Sequence, residues 1–177
     1  VIAKVENQFG LDNLESIVDN AFGILIDRGD LGAETIISNI PLMQKKIINT
    51  ANKYGKPVIV ATEMLHTMIT NPFPTKSEVN DIANAVLDGA TALMLSGETA
   101  VGEYPFDACG LMREVAAVTE KTLFAEKKVD HEVRNTSDVV AKCITIACKS
   151  LDITKILAVT YSGFSARMIS LYRLKQD

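Results

Sequence analysis

Gly23-Ile24-Leu25-Ile26-Asp27-Arg28-Gly29-Asp30-Leu31-Gly32 is the stretch on which the fold turns. An unbroken apolar run passes straight into an arginine and two acids set among glycines, which reads as a buried strand opening into a loop. A strand that is apolar on both faces belongs to a covered parallel sheet, and in such sheets ligands gather beyond the carboxyl ends of the strands. Asp27, Arg28 and Asp30 would line that edge. The glycines would let the backbone approach a ligand closely, offering N–H groups to an anion while Asp30 holds a cation. An isolated Arg-Gly-Asp reads more readily as a solvated turn carrying its own ion pair, so the neighbouring segments have to decide.

Those segments repeat the pattern. Val1 to Val5 is apolar apart from Lys4 and gives way to Glu6-Asn7-Gln8, a strand whose polar end carries one cation and one anion. Leu11, Leu14, Ile17 and Val18 follow at helical spacing, ahead of a turn at Asp19-Asn20. After the glycine loop a helix is predicted from about Pro41 to Tyr54, with Asn39 or Ser38 as its cap and Gly55 as its stop. Pro57 to Ala61 reads as a third strand opening into Thr62-Glu63, then a short helix through Met64, Leu65, Met68 and Ile69. Thr75-Lys76-Ser77-Glu78 has the form of a capping box before Val79, Ile82, Ala83, Val86 and Leu87, and Gly89 ends that helix. Ala92 to Leu95 reads as a fourth strand opening into Ser96-Gly97-Glu98-Thr99, followed by a long helix from Pro105 to Leu123. Lys4, Asp30, Thr62 and Ser96 mark strand ends 26 to 34 residues apart, the rhythm of strand–helix crossovers. Four parallel units with polar groups at one edge suit half of an eight-stranded barrel or one side of a doubly wound sheet.

Beyond Leu123 the rhythm lapses into a charged stretch, and a linker is predicted at 124–135. Thr136 to Ser150 then reads as a helix, Lys155 to Thr160 as a strand and Ala166 to Leu174 as a second helix. Some 40 residues are too few to stand alone, so a second domain cut short is expected, and Val1 to Val5, which already looks like mid-strand, suggests an excerpt from a longer chain.

At 177 residues, 47% hydrophobic and 23% charged, the chain has the composition of a soluble globular protein. The net charge of −4 comes without a basic cluster, which argues against nucleic acid as a partner. No apolar run nears the roughly 18 residues of a membrane span, so a cytoplasmic setting without a membrane partner is expected. Cys109, Cys143 and Cys148 lack metal-ligand spacing and are expected to be buried free thiols.

Six segments in order give the chain a resemblance to pyruvate kinases. They are Lys4-Val5-Glu6-Asn7, Arg28-Gly29-Asp30-Leu31-Gly32, Lys56-Pro57-Val58-Ile59-Val60-Ala61-Thr62-Glu63-Met64-Leu65, Asn71-Pro72-Phe73-Pro74-Thr75, Asp81-Ile82-Ala83-Asn84-Ala85-Val86-Leu87-Asp88-Gly89, and Leu95-Ser96-Gly97-Glu98-Thr99-Ala100. The resemblance implies an α/β fold: residues 1–123 as the last four strand–helix units of a (β/α)8 TIM barrel, and residues 136–177 as the start of an α/β regulatory domain. It implies glycolytic phosphoryl transfer from phosphoenolpyruvate to ADP, giving pyruvate and ATP. Such transfers rely on cations placed against the moving phosphoryl oxygens, with little covalent participation by the protein.

Glu6 and Asp30 match the family's ligands for Mg²⁺ or Mn²⁺, and Lys4 matches the lysine that stabilises the phosphoryl group and the enolate. Lys4 paired with Glu6 as an ordinary ion pair is the plain alternative. Gly29 and Asp30 N–H groups and the Thr62 hydroxyl match the contacts to the substrate carboxylate. Ser96 and Glu98 match positions near the side from which the enolate is protonated, and Arg28 is expected to orient the acidic cluster. A K⁺ site and several nucleotide contacts belong to parts of the family's chain outside this stretch, so the stretch alone is expected not to turn over. Thr160, Ser162, Gly163 and Ser165 resemble the loop that holds a sugar-phosphate effector, and a homotetramer is implied. Asp27 stands where the family usually has alanine, Glu63 where glutamine is more frequent, and His66 where glutamate is. Two other readings remain open: a different metal-dependent barrel that handles an enolate, and a non-catalytic binding or assembly fragment.

Overall fold

The computed structural model describes residues 1–126, 133, 136–172 and 174, and the chain divides into two units, Val1–Thr122 and Leu123–Asp177. The first unit runs β1 (Ile2–Val5), α1 (Gln8–Asp12), α2 (Leu14–Asn20), β2 (Gly23–Asp27), α3 (Arg28–Glu34), α4 (Ile40–Lys53), β3 (Val58–Ala61), α5 (Lys76–Asp88), β4 (Ala92–Met94), α6 (Gly97–Ala100) and α7 (Pro105–Glu126), with 3₁₀ turns at Ile37–Asn39 and His66–Ile69. The four strands pair in chain order and all in parallel. Parallel pairing of successive strands needs a crossover, and the intervening helices supply it. Val5 is level with Ile26, and Asp27 with Ala61. The register therefore brings Glu6, Asp27 and Thr62, each at or just past a strand end, to one edge of the sheet.

Continuous apolar runs mark the inner strands because those strands are covered. Ile24, Ile26, Val58 and Val60 are fully buried and pack with Val5, Leu31, Ile47, Ile48, Met64, Leu65 and Ile82 in one core. Each such side chain contributes about 1.5–3 kcal/mol of transfer free energy. The outer strands have one neighbour each among the described residues, and Ile2 and Met94 remain 47% and 36% exposed.

Side-chain caps fix the connections. Thr75 Oγ1 accepts from Glu78 N–H at 3.2 Å while Glu78 Oε2 accepts from Thr75 N–H at 2.7 Å, the reciprocal capping box anticipated for α5. The other Glu78 oxygen accepts from Thr67 N–H at 2.7 Å, tying the helix start to the preceding 3₁₀ turn. Gly89 ends α5 at φ 107°, where a Cβ would stand 2.6 Å from Asn52 Nδ2. Lys56 Nζ donates to the carbonyls of Asp19 and Ala21 at the end of α2.

Several expectations need correction. Residues 28–34 form α3 rather than a glycine loop, because the Asp27 carboxylate caps its first turn and outweighs the poor helix propensity of Gly29 and Gly32. The segment from Leu11 to Val18 is two short helices that meet at Asn13. Asn39 precedes α4 without a side-chain cap bond. Cys109 and Cys143 are exposed, and Cys148 is buried as expected.

In the second unit α8 (Thr136–Ser150) and α9 (Phe164–Ser170) pack through Ala141, Met168 and Tyr172. Lys155 to Thr160 forms no strand: Leu157 and Val159 are 92% exposed, and the described residues of this unit contain no other strand to pair with. The linker expected at 124–135 falls largely outside the described residues. Among those described, no helix is long and apolar enough to cross a membrane.

Replacing Thr75 by Ala removes the acceptor for the first turn of α5, and the unfolding free energy measured by urea titration should fall by about 1 kcal/mol.

Candidate active site

Adjacent strand ends bring a cation and three carboxylates together. Lys4, exposed at the end of β1, extends Nζ to 2.5 Å from Glu6 Oε2, 3.1 Å from Asp27 Oδ2 and 3.2 Å from Asp30 Oδ2. One ligand oxygen from each acid lies within 4.8 Å of the others. Close contact with the carboxylates of Glu6, Asp27 and Asp30 raises the Lys4 ammonium well above its ordinary pKa, so it stays cationic. Burial pushes the Asp27 carboxyl up, but hydrogen bonds from Lys4, the Asp30 N–H and the Thr62 hydroxyl outweigh it and leave the pKa lowered.

Thr62 closes the cluster on the β3 side. Its hydroxyl accepts from Gly29 N–H at 2.9 Å and lies 3.2 Å from Asp27 Oδ1 and 2.7 Å from the Ala61 carbonyl. Both Thr62 (φ 66°) and Glu63 (φ 55°) adopt the left-handed region, which disfavours β-branched side chains. Arg28 holds that turn: Nε and Nη2 donate to the Thr62 carbonyl at 3.1 and 2.7 Å, and Nη1 pairs with Asp81 Oδ2 at 2.5 Å. Arg28 is therefore buried at 6% exposure and bonded to the β3 turn and α5, so it reaches the acidic cluster through Thr62, whose hydroxyl lies against Asp27, and not by direct contact. Asp81 and Gln44, its side-chain partners, carried no local signal in the sequence because they lie 53 and 16 residues away.

The other expected site residues sit apart. Glu98 is buried and accepts from Leu65 N–H at 3.0 Å and Ser96 N–H at 2.8 Å, one bond to each oxygen. No described hydrogen bond or ion pair links Ser96 or Glu98 to the Lys4 cluster. Burial raises the Glu98 carboxyl, but the N–H groups of Leu65, Glu98 itself and Ser96, with the charge of His66, bring it below its ordinary value. In the second unit the hydroxyls of Thr160 and Ser162 accept from Gly163 N–H at 3.1 Å and Phe164 N–H at 3.4 Å, and Ser165 is exposed on the first turn of α9.

A sequence model described as the pyruvate kinase barrel domain matches residues 1–109. The chain belongs to the pyruvate kinase family. It is 45% identical to a pyruvate kinase of Borreliella burgdorferi over 98% of its own length, and 42% identical to that of Thermotoga maritima over 99%. It spans 37% and 38% of those two relatives. The crystal structure of a pyruvate kinase from Cryptosporidium parvum superposes with a TM-score of 0.90 at 39% identity, covering 99% of this chain and 37% of that one.

Pyruvate kinases are expected to use a divalent cation, and the acidic cluster fits one. Its donors are hard oxygens, which suit Mg²⁺ and Mn²⁺. Glu6 Oε2 is sealed from solvent and lacks an aligned hydrogen bond, its contact being the ion pair with Lys4.

Two outcomes test the supporting framework. Arg28→Met should lower the unfolding free energy in urea by about 3 kcal/mol, the low end for a broken buried pair because Asp81 is partly solvated. A depressed Glu98 pKa means the group stabilises the fold above its unfolded value near 4.5 and loses that contribution as pH falls through the lower folded value. Glu98→Gln should lower the melting temperature at pH 7 and flatten its decline between pH 5 and 3.

Proposed function

We propose that the protein to which this chain belongs is a pyruvate kinase, transferring the phosphoryl group of phosphoenolpyruvate to ADP in glycolysis. The observation that carries the reading is the convergence of Lys4, Glu6 and Asp30 at one sheet edge, with Lys4 in ion-pair contact with both acids and their oxygens within 4.8 Å of each other. Glu6 and Asp30 hold Mg²⁺ or Mn²⁺, which when bound neutralises charge on substrate oxygens. Lys4 supplies a point positive charge to the phosphoryl group and then to the enolate oxygen. The Thr62 hydroxyl and the N–H groups of Gly29 and Asp30 receive the substrate carboxylate. Arg28 acts indirectly, by fixing the turn that presents Thr62.

Ser96 is the hydroxyl nearest in role to proton delivery, with Glu98 holding the Ser96 loop in shape through its backbone bonds. Residues 1–123 form the second half of a (β/α)8 barrel, 124–135 a linker and 136–177 the beginning of a regulatory α/β domain. Thr160, Ser162, Gly163 and Ser165 form the candidate seat for an effector phosphate. K⁺, a cytoplasmic location and a homotetrameric assembly follow from the family. The two outer strands, each with one neighbour here, support the expectation that these 177 residues alone do not turn over.

The full-length protein carrying Lys4→Met should form pyruvate from phosphoenolpyruvate and ADP roughly 10²–10³-fold more slowly than the parent. Near-normal turnover would remove Lys4 from the mechanism.

A further inference from the structure

Three oxygens share one positive charge at this site. Glu6 Oε2, Asp27 Oδ2 and Asp30 Oδ2 all lie 2.5–3.2 Å from Lys4 Nζ. By formal count three carboxylates face one ammonium, so the position carries surplus negative charge that a divalent ion would balance better than a lysine. Asp27 is also the best organised of the three acids. Its side chain is 13% exposed, against 35% for Glu6 and 62% for Asp30. Its Oδ1 lies 3.2 Å from the Thr62 hydroxyl and accepts from the Asp30 N–H at 3.3 Å, which fixes the carboxylate plane and leaves Oδ2 facing the ammonium. Hydrogen bonds of this kind orient metal-binding carboxylates and contribute to their affinity.

We propose that Asp27 is a third protein ligand for the divalent cation, beside Glu6 and Asp30, and that the Lys4 ammonium competes with the ion for these oxygens in the substrate-free protein. The inference rests on the assignment of Glu6 and Asp30 to the metal in the proposed function. Its functional content is an exchange: an ion held by three carboxylates releases Lys4 to turn toward an anionic substrate. The position that departs from the family's alanine thus strengthens the cation site and couples metal occupancy to the availability of the lysine.

Mn²⁺ binding to the full-length protein, followed by electron paramagnetic resonance without substrate or nucleotide, tests this. Asp27→Ala should weaken Mn²⁺ binding by at least about tenfold. Asp27→Asn, which keeps an oxygen able to cap α3, should fall between Ala and the parent, and Lys4→Met should bind Mn²⁺ more tightly than the parent. Circular dichroism melts establish that each variant is folded, and Asp27→Asn serves if Asp27→Ala is not. Unchanged or tighter Mn²⁺ binding in both Asp27 variants, with Glu6→Gln weakened, overturns the inference and leaves the kinase reading intact. Indifference to Glu6→Gln as well overturns both.

Discussion

The bond from Arg28 to the carbonyl of Thr62 organises this edge of the sheet. Two guanidinium nitrogens hold one oxygen, so the carbonyl cannot rotate away, and the backbone after β3 is kept in a left-handed turn that threonine does not favour by itself. That turn sets the hydroxyl of Thr62 against Gly29 and Asp27. Asp27, held in turn, caps α3 and faces Lys4. A buried arginine bonded to none of the three acids therefore helps set where the outermost charged atoms sit. Its charge is matched by Asp81 on α5, which leaves the carboxylates of Glu6, Asp27 and Asp30 facing Lys4.

Carboxylates in this unit divide by what their oxygens already hold. Glu78 and Glu98 accept from backbone N–H groups with both oxygens and fasten segments that leave β3 and β4. Glu6, Asp27 and Asp30 instead direct an oxygen at a shared cation. In sequence Glu98 looks like a member of the second group, since it too stands close after a strand. Only the long-range partners separate them.

This is also where sequence legibility stops. Strand positions, the α5 capping box and the Gly89 stop were readable because each depends on local spacing or on a φ that glycine alone adopts cheaply. The gathering of Lys4, Glu6 and Asp30 followed from strand ends in parallel register. The helical state of Arg28 to Glu34 was missed because glycines at 29 and 32 argue against a helix, and the local cap that offsets them, Asp27 accepting from the Asp30 N–H, comes from a residue that also closes an apolar strand. The apolar run within Lys155 to Thr160 looked like a strand, but such a run reports a pleated preference and not a partner. The partners of Arg28 were hidden for a similar reason, its anion lying on a helix of the next crossover.

Parallel register has a further effect on how such a chain can change over time. The connections that lead into each new strand, residues 21–22, 54–57 and 89–91, belong to the rim opposite the charged cluster. Insertions and deletions there alter loop length without disturbing Lys4, Asp27 or Thr62. The two rims are thereby exposed to separate selection, and a lineage can revise its thermal tolerance at one face while the charged face is inherited intact.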